Sequence, residues 1–231
     1  MKHALLCCLL VVSSGLSAQN SYWKFTATGF EKEGAVSGVL EAWISGKRYC
    51  TLESTTGNTY TCIVDSVAGK GLLLEDEGPE KKLALLYSLN DETMNETAER
   101  EPEETDEEWY DPDLVEGEDY RFVAGTKTIK GFPCRKLEFI DDNLASGIGW
   151  MAIGVHLDLY ASEEFNFLNL AKGTILELDM VDVDGGTSQL QLTEYSTKPV
   201  FPKGIFSLTI PEGYKDNTNH ARLRQLEEEE E

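Results

Sequence analysis

Hydrophobic and polar residues alternate one by one through much of this chain. In residues 22–30, "YWKFTATGF", Trp23, Phe25 and Ala27 fall on one side and Lys24, Thr26 and Thr28 on the other. Residues 81–89, "KKLALLYSL", set Leu83, Leu85, Tyr87 and Leu89 together. Residues 174–180 group Leu176, Leu178 and Met180, and residues 188–195 group Leu190 and Leu192. A repeat of two is the spacing of a pleated strand with one face buried. Gly, Asp and Asn punctuate the runs about every ten residues, which predicts an antiparallel sheet joined by short turns. Helical spacing is confined to one place, "SEEFNFLNLA" at 162–171, with Ser162 as cap, acids in the first turn, and Phe165 and Leu168 on one side. The pattern predicts a mainly β (α+β) domain with one or few short helices.

Two stretches break the alternation by composition. Residues 90–119 hold fifteen Asp or Glu against the single Arg100, with two prolines and little aliphatic side chain. Like-charge repulsion and the missing apolar content predict a disordered acidic loop there, and a disordered acidic tail over 216–231, which ends in five glutamates. The acids lack the alternating ligand spacing of a calcium loop. The nearest approach, "DMVDVDGG" at 179–186, has Met180 at the first ligand position and reads as a hairpin turn at Asp184-Gly185-Gly186.

The first residues have the three-part layout of an export signal: Lys2, an apolar run from Ala4 to Val12, and small residues from Ser13 to Ala18. Cleavage is expected near Gln19. Cys7 and Cys8 lie inside the apolar run rather than after it, which argues against a lipid anchor. Removal of 1–19 leaves 212 residues, expected as one β-rich domain over 20–215. No other segment approaches the roughly 18 consecutive apolar residues of a membrane span. The net charge of −22 makes nucleic acid an unsuitable partner.

The expected mature chain keeps Cys50, Cys62 and Cys134. Pairing Glu53 with Thr59 across a five-residue turn sets Cys50 opposite Cys62, where export would allow a disulfide; two buried thiols are the alternative. Nucleophilic catalysis by Cys134 would need a nearby base, and beyond residue 19 only His156 and His220 are available. No paired Cys or His spacing suggests zinc, and no phosphate, dinucleotide or serine-hydrolase motif occurs. The expectation is a non-enzymatic protein without cofactor or metal, in which Cys134 is structural.

"GTKTIKGFPCRKLEF" (125–139) followed by "FSLTIPEGYK" (206–215) resembles a family of exported bacterial proteins known only as a domain of unknown function. The resemblance rests on Lys127, Thr128, Ile129, Gly131, Phe132, Cys134 and Lys136, then on Phe206, Pro211, Gly213 and Tyr214. The spacer Leu208-Thr209-Ile210 before Pro211 is longer than the family's commonest form. The resemblance implies a LolA-like fold, a curved antiparallel sheet or half-barrel over short helices, as in periplasmic lipoprotein carriers. It further implies a concave apolar face, for which Trp23, Trp43, Tyr87 and Trp150 are the candidate lining residues. "DSV" at 65–67 resembles an O-glycosylation site of some such exporters, which makes Ser66 a candidate carrier of sugar. The leading expectation is an exported, monomeric binding protein, periplasmic or extracellular, for a lipid or other apolar ligand. The alternative is a secreted or cell-surface module for an envelope protein.

Overall fold

A computed structural model describes residues 20–29, 37–55, 57–79, 81–89, 116–141, 144–157, 169–170 and 172–218. The expected leader, residues 90–115 of the acidic stretch and the tail from 219 lie outside these. The described residues form thirteen strands: β1 (Ser21–Thr28), β2 (Ser37–Ser45), β3 (Arg48–Ser54), β4 (Thr59–Asp65), β5 (Lys70–Asp76), β6 (Lys82–Ser88), β7 (Tyr120–Ile129), β8 (Phe132–Phe139), β9 (Leu144–Ile153), β10 (Asn169–Leu170), β11 (Gly173–Asp182), β12 (Thr187–Ser196) and β13 (Lys215–Asp216). The expected short helices are a correction: the described elements are all strands. Of the segment read as a helix, 162–168 lie outside the described residues, and Asn169–Leu170 pair with β11. Cap and spacing signals are local, and at the end of that segment strand pairing overrides them.

All strands join one sheet in the order β13-β6-β5-β4-β3-β2-β1-β12-β11-β9-β8-β7, with β10 beside β11. Among the described residues the strand pairings are antiparallel except the short β13–β6 contact, and the isolated bridge Glu116–Tyr120 is parallel. Order reaches a little past the expected tail boundary: Asp216 pairs with Ala84, Asn217 N–H donates to Ala84 O at 2.8 Å, and Leu86 N–H donates to Thr218 Oγ1 at 3.1 Å. β1 holds the middle of the sheet, paired with β2 on one side and β12 on the other. Its burial alternates along its length, as its sequence does.

The two faces of the sheet carry separate cores. The larger contains Trp23, Phe25, Ala27, Leu40, Ala42, Leu178, Leu190 and Leu192 with residues of β7–β9. In a flat sheet β1 and β8 would stand four spacings, about 19 Å, apart. The Trp23 and Phe132 rings stack at 5.1 Å between centroids, and Phe132 meets Tyr195 at 4.7 Å, so this half of the sheet curls over its own core. The curl needs room. A Cβ on Gly149 of β9 would lie 2.8 Å from Leu137 Cδ1, which is fully buried.

The smaller core lies on the opposite face of β2–β6, on the row Tyr22–Trp43–Cys50–Ile63–Leu72–Leu86, each directly opposite the next. Phe201, Ile205, Phe206, Leu208, Ile210 and Tyr214 from the segment after β12 cover it.

This arrangement overturns the Cys50–Cys62 disulfide. Thr55 and Asn58 exchange backbone hydrogen bonds at 3.0 and 3.4 Å, and Ser54, not Glu53, faces Thr59. The register moves by one residue, so Cys50 sits opposite Ile63 and Cys62 opposite Thr51. A shift of one sends a side chain to the other face. Both thiols are free and buried on opposite sides of the sheet. Thiol titration of the unfolded, unreduced protein is expected to find Cys50, Cys62 and Cys134 all reactive; a protected Cys50–Cys62 pair would contradict the register. Gly149→Ala is expected to destabilise by about 1–3 kcal/mol through overpacking against Leu137, read as a lower urea midpoint.

Candidate binding face

The face that carries the larger core continues across β2 to β6. One cross-strand row runs Trp23–Ala42–Thr51–Cys62–Leu73–Leu85, each residue directly opposite the next. A second runs Phe25–Leu40–Glu53–Tyr60–Glu75–Leu83, and a third Ile44–Tyr49–Val64–Gly71–Tyr87. Burial fades along the first row. Ala42, Thr51 and Cys62 are 0, 3 and 3% exposed, whereas Leu73 and Leu85 are half-buried. Leu83 and Tyr87 are half-buried too. The main apolar face therefore ends at β5 and β6 in a partly open patch of three leucines and a tyrosine.

The patch has a polar margin in Glu75, exposed on β5 directly opposite Leu83. Glu53, two strands away on β3, is buried at 3% exposure. The Tyr87 ring lies across Gly71, where a Cβ would stand 2.1 Å from Tyr87 Cζ. Its hydroxyl is 3.7 Å from Cys62 Sγ. Burial pushes the Cys62 thiol from its ordinary 9.0 up to about 11, against hydrogen bonds to Tyr87 and Tyr49 that lower it. Burial, then the neighbouring Cys62, pushes Cys50 up to about 12. Neither is a thiolate at neutral pH, so neither is an activated nucleophile.

The four residues expected to line a ligand site do not converge. Trp23 is in the larger core, its Nε1–H donating to Ser21 Oγ at 3.0 Å. Trp43 is on the other face, in the smaller core, with its ring 5.4 Å from Tyr22. Trp150 lies in β9 beneath Lys127, whose Nζ is 4.4 Å from the ring centroid. Tyr87 alone belongs to the open patch. Alternation in the sequence groups Leu83, Leu85 and Tyr87 but misses Leu73 and Cys62. Leu72, Leu73 and Leu74 are consecutive, so no alternation marks which one faces the patch; only the pairing register does.

Of the motif residues, Ile129, Phe132 and Cys134 belong to the larger core, and Phe206 and Tyr214 pack on the smaller one. Lys127 ion-pairs with Glu177, and Lys130 (φ 48) and Gly131 (φ 93) make the left-handed turn between β7 and β8. Cys134 is buried at 2% exposure in the larger core. Phe206 packs against Phe201 at 5.3 Å with the Arg48 guanidinium 5.2 Å from its ring. Tyr214 N–H donates to Pro211 O at 3.3 Å around Gly213, whose φ is 91°. Ser66 is exposed in the β4–β5 turn. The acid-glycine turn expected at 184–186 joins β11 to β12, with Gly185 N–H donating to Asp182 O at 2.9 Å. His156, one of the two histidines available as a base, is exposed beyond the end of β9. Among the described residues no three His, Cys, Asp or Glu gather as a metal site, and no helix is long and apolar enough to cross a membrane.

No family model and no curated protein matches the chain, so the family suggested by the two motifs is not shown. Solved structures give distant likenesses. A structure of PNGF-II aligns at 6% identity and TM-score 0.42 over 90% of this chain and 33% of its own, so the chain spans about a third of that protein. An uncharacterized conserved protein from Thermus thermophilus aligns at 9% identity and TM-score 0.41, covering 86% of this chain and 90% of its own. A LolA superfamily protein from Nitrosomonas europaea aligns at 11% identity and TM-score 0.29, covering 82% and 90%.

The raised thiols give a pH dependence. Above about pH 9 the unfolded chain releases thiol protons that the folded chain keeps, so this contribution is whole below that pH and is lost as pH rises toward 11 and 12. Urea midpoints are expected to fall more steeply over that range than in a Cys50→Ala/Cys62→Ala variant; identical slopes would contradict the burial of both thiols.

Proposed function

We propose that this is an exported, non-enzymatic binding protein that holds an apolar or lipid-like ligand on the open end of its main sheet face. The observation that supports this reading is the patch of Leu73, Leu83, Leu85 and Tyr87, half-buried and continuous with a fully buried core face. An acyl chain laid along β5 and β6 would cover these side chains and extend the apolar face across the last two strands of the meander. Each buried methylene would contribute about 0.8 kcal/mol, so a chain of moderate length suffices for affinity without any specific polar contact. Glu75 and Tyr87 sit where they would bias the choice of ligand end. Among the described residues the site has no activated nucleophile or metal cluster to turn over a ligand, and holding it is the role its chemistry suits.

The test is binding of dansyl-labelled undecanoic acid to the full chain, followed by fluorescence. Saturable binding is expected, and Leu85→Glu, a charge on the half-buried β6 face, is expected to weaken it at least tenfold while the melting temperature stays within a few degrees. Absence of saturable binding, or equal binding by Leu85→Glu, would overturn the reading.

A further inference from the structure

From Tyr120 to Leu137 the sequence contains Arg121, Lys127, Lys130, Arg135 and Lys136 and no Asp or Glu. In a chain of net charge −22 this is an island of positive charge. The fold builds it into the β7–β8 hairpin at one end of the sheet and adds Lys172 from the turn before β11. Three of these cations are neutralised: Arg121 by Glu138 at 2.9 Å, Lys127 by Glu177, and Lys172 by Glu116. Lys130, Arg135 and Lys136 have no ion-pair partner among the described residues. Arg135 is exposed, with its guanidinium 4.2 Å from the Phe122 ring centroid, and Lys172 Nζ stands 5.7 Å from the same ring. Lys130 is exposed at the hairpin tip.

The same hairpin presents an edge. Among the described residues β7 meets an isolated bridge from Glu116 at Tyr120 and otherwise pairs with β8; from Thr126 to Ile129 that pairing is regular, Thr126 opposite Arg135 through Ile129 opposite Phe132. In a hairpin closed by two residues the flanking pair exchanges both backbone bonds, and alternate residues do so after it. Thr128 therefore directs its N–H and C=O outward. Lysines on an edge usually discourage pairing with other chains. They discourage a neutral or basic strand and favour an acidic one, so charge here selects the partner as well as repelling others. Arg135 and Lys136 are successive and project to opposite faces, which suits consecutive acids on an added strand, since these also alternate.

We propose that the edge of β7 from Thr126 to Ile129, which no other described strand covers, accepts an extended acidic segment of another protein chain as an added strand, with its carboxylates held by Lys130, Arg135 and Lys136. Backbone pairing at Thr128 sets the alignment, and the cations on either side set the preference for acid. This surface lies at the opposite end of the strand order from the apolar patch of β5 and β6.

The test is fluorescence anisotropy of a fluorescein-labelled poly-glutamate peptide titrated with the full chain. A second peptide, N-methylated at alternate residues, keeps every charge and loses the donors needed to join a sheet. Saturable binding of the first is expected, weakening about tenfold between about 50 and 200 mM salt, as partly screened pairs do. The N-methylated peptide is expected to bind at least tenfold less tightly. The combined Lys130→Gln, Arg135→Gln and Lys136→Gln variant is expected to lose the peptide while keeping its melting temperature. No saturable binding, equal binding of the two peptides, or full binding by the triple variant would overturn the proposal. Capture by phosphatidylglycerol vesicles without binding of the peptide would overturn it as well, because the partner would then be a lipid surface.

Discussion

Pairing register commits every side chain of a sheet to one face, and the structure depends on that commitment at β1. Trp23, Phe25 and Ala27 point into the larger core, while Tyr22 points to the other side and opens the row that becomes the smaller core. Because β1 pairs with both β2 and β12, its alternation passes to both halves of the sheet. On one side the sheet curls until Phe132 meets Trp23; on the other it runs to β6 with an apolar row on each face. The segment 201–214 covers one of these rows, and the other loses its burial at the last two strands.

Small irregularities make this possible. β1 and β12 shift register between Lys24 and Phe25, β9 and β11 between Ile175 and Glu177, and β7 and β8 between Phe122 and Thr126. Bulges of this kind bend a strand and increase its twist, and they lie in the half that curls. In β8 the buried positions run Phe132, Cys134 and then Leu137, with Arg135 exposed and Lys136 half-buried between the last two. That break in alternation turns the base of the hairpin to the core by one face and its tip by the other. It also leaves Arg135 exposed on one face and Lys136 half-buried on the other.

Much of the fold was legible because alternation is a local signal. The strands at 22–28, 82–88, 174–180 and 188–195 were all visible as runs of two, and the turn at Asp184-Gly185-Gly186 was visible as chemistry. What failed was whatever needed partners. Cys50 and Cys62 are correctly placed on adjacent strands, yet a turn one residue shorter than assumed puts them on opposite faces. Trp23 and Trp43 each read as large apolar residues for a ligand face, and nothing local says that one faces each core. Leu73 could not be distinguished from Leu72 and Leu74 until β5 was set against β4. The short helix was argued from a cap and two apolar positions, a weaker signal than the pairing that holds Asn169 and Leu170 beside β11.

Ligand binding on this sheet depends on which face of β5 and β6 is open, and methyl NMR separates the two directly. With leucine methyls labelled and sub-micellar laurate added, the signals of Leu73, Leu83 and Leu85 are predicted to shift together and saturably. Those of Leu72 and Leu86, on the same strands but facing the segment 201–214, are predicted to stay in place. Shifts at Leu72 and Leu86 with Leu73 and Leu85 unmoved would contradict the assignment of faces, and with it the proposed site.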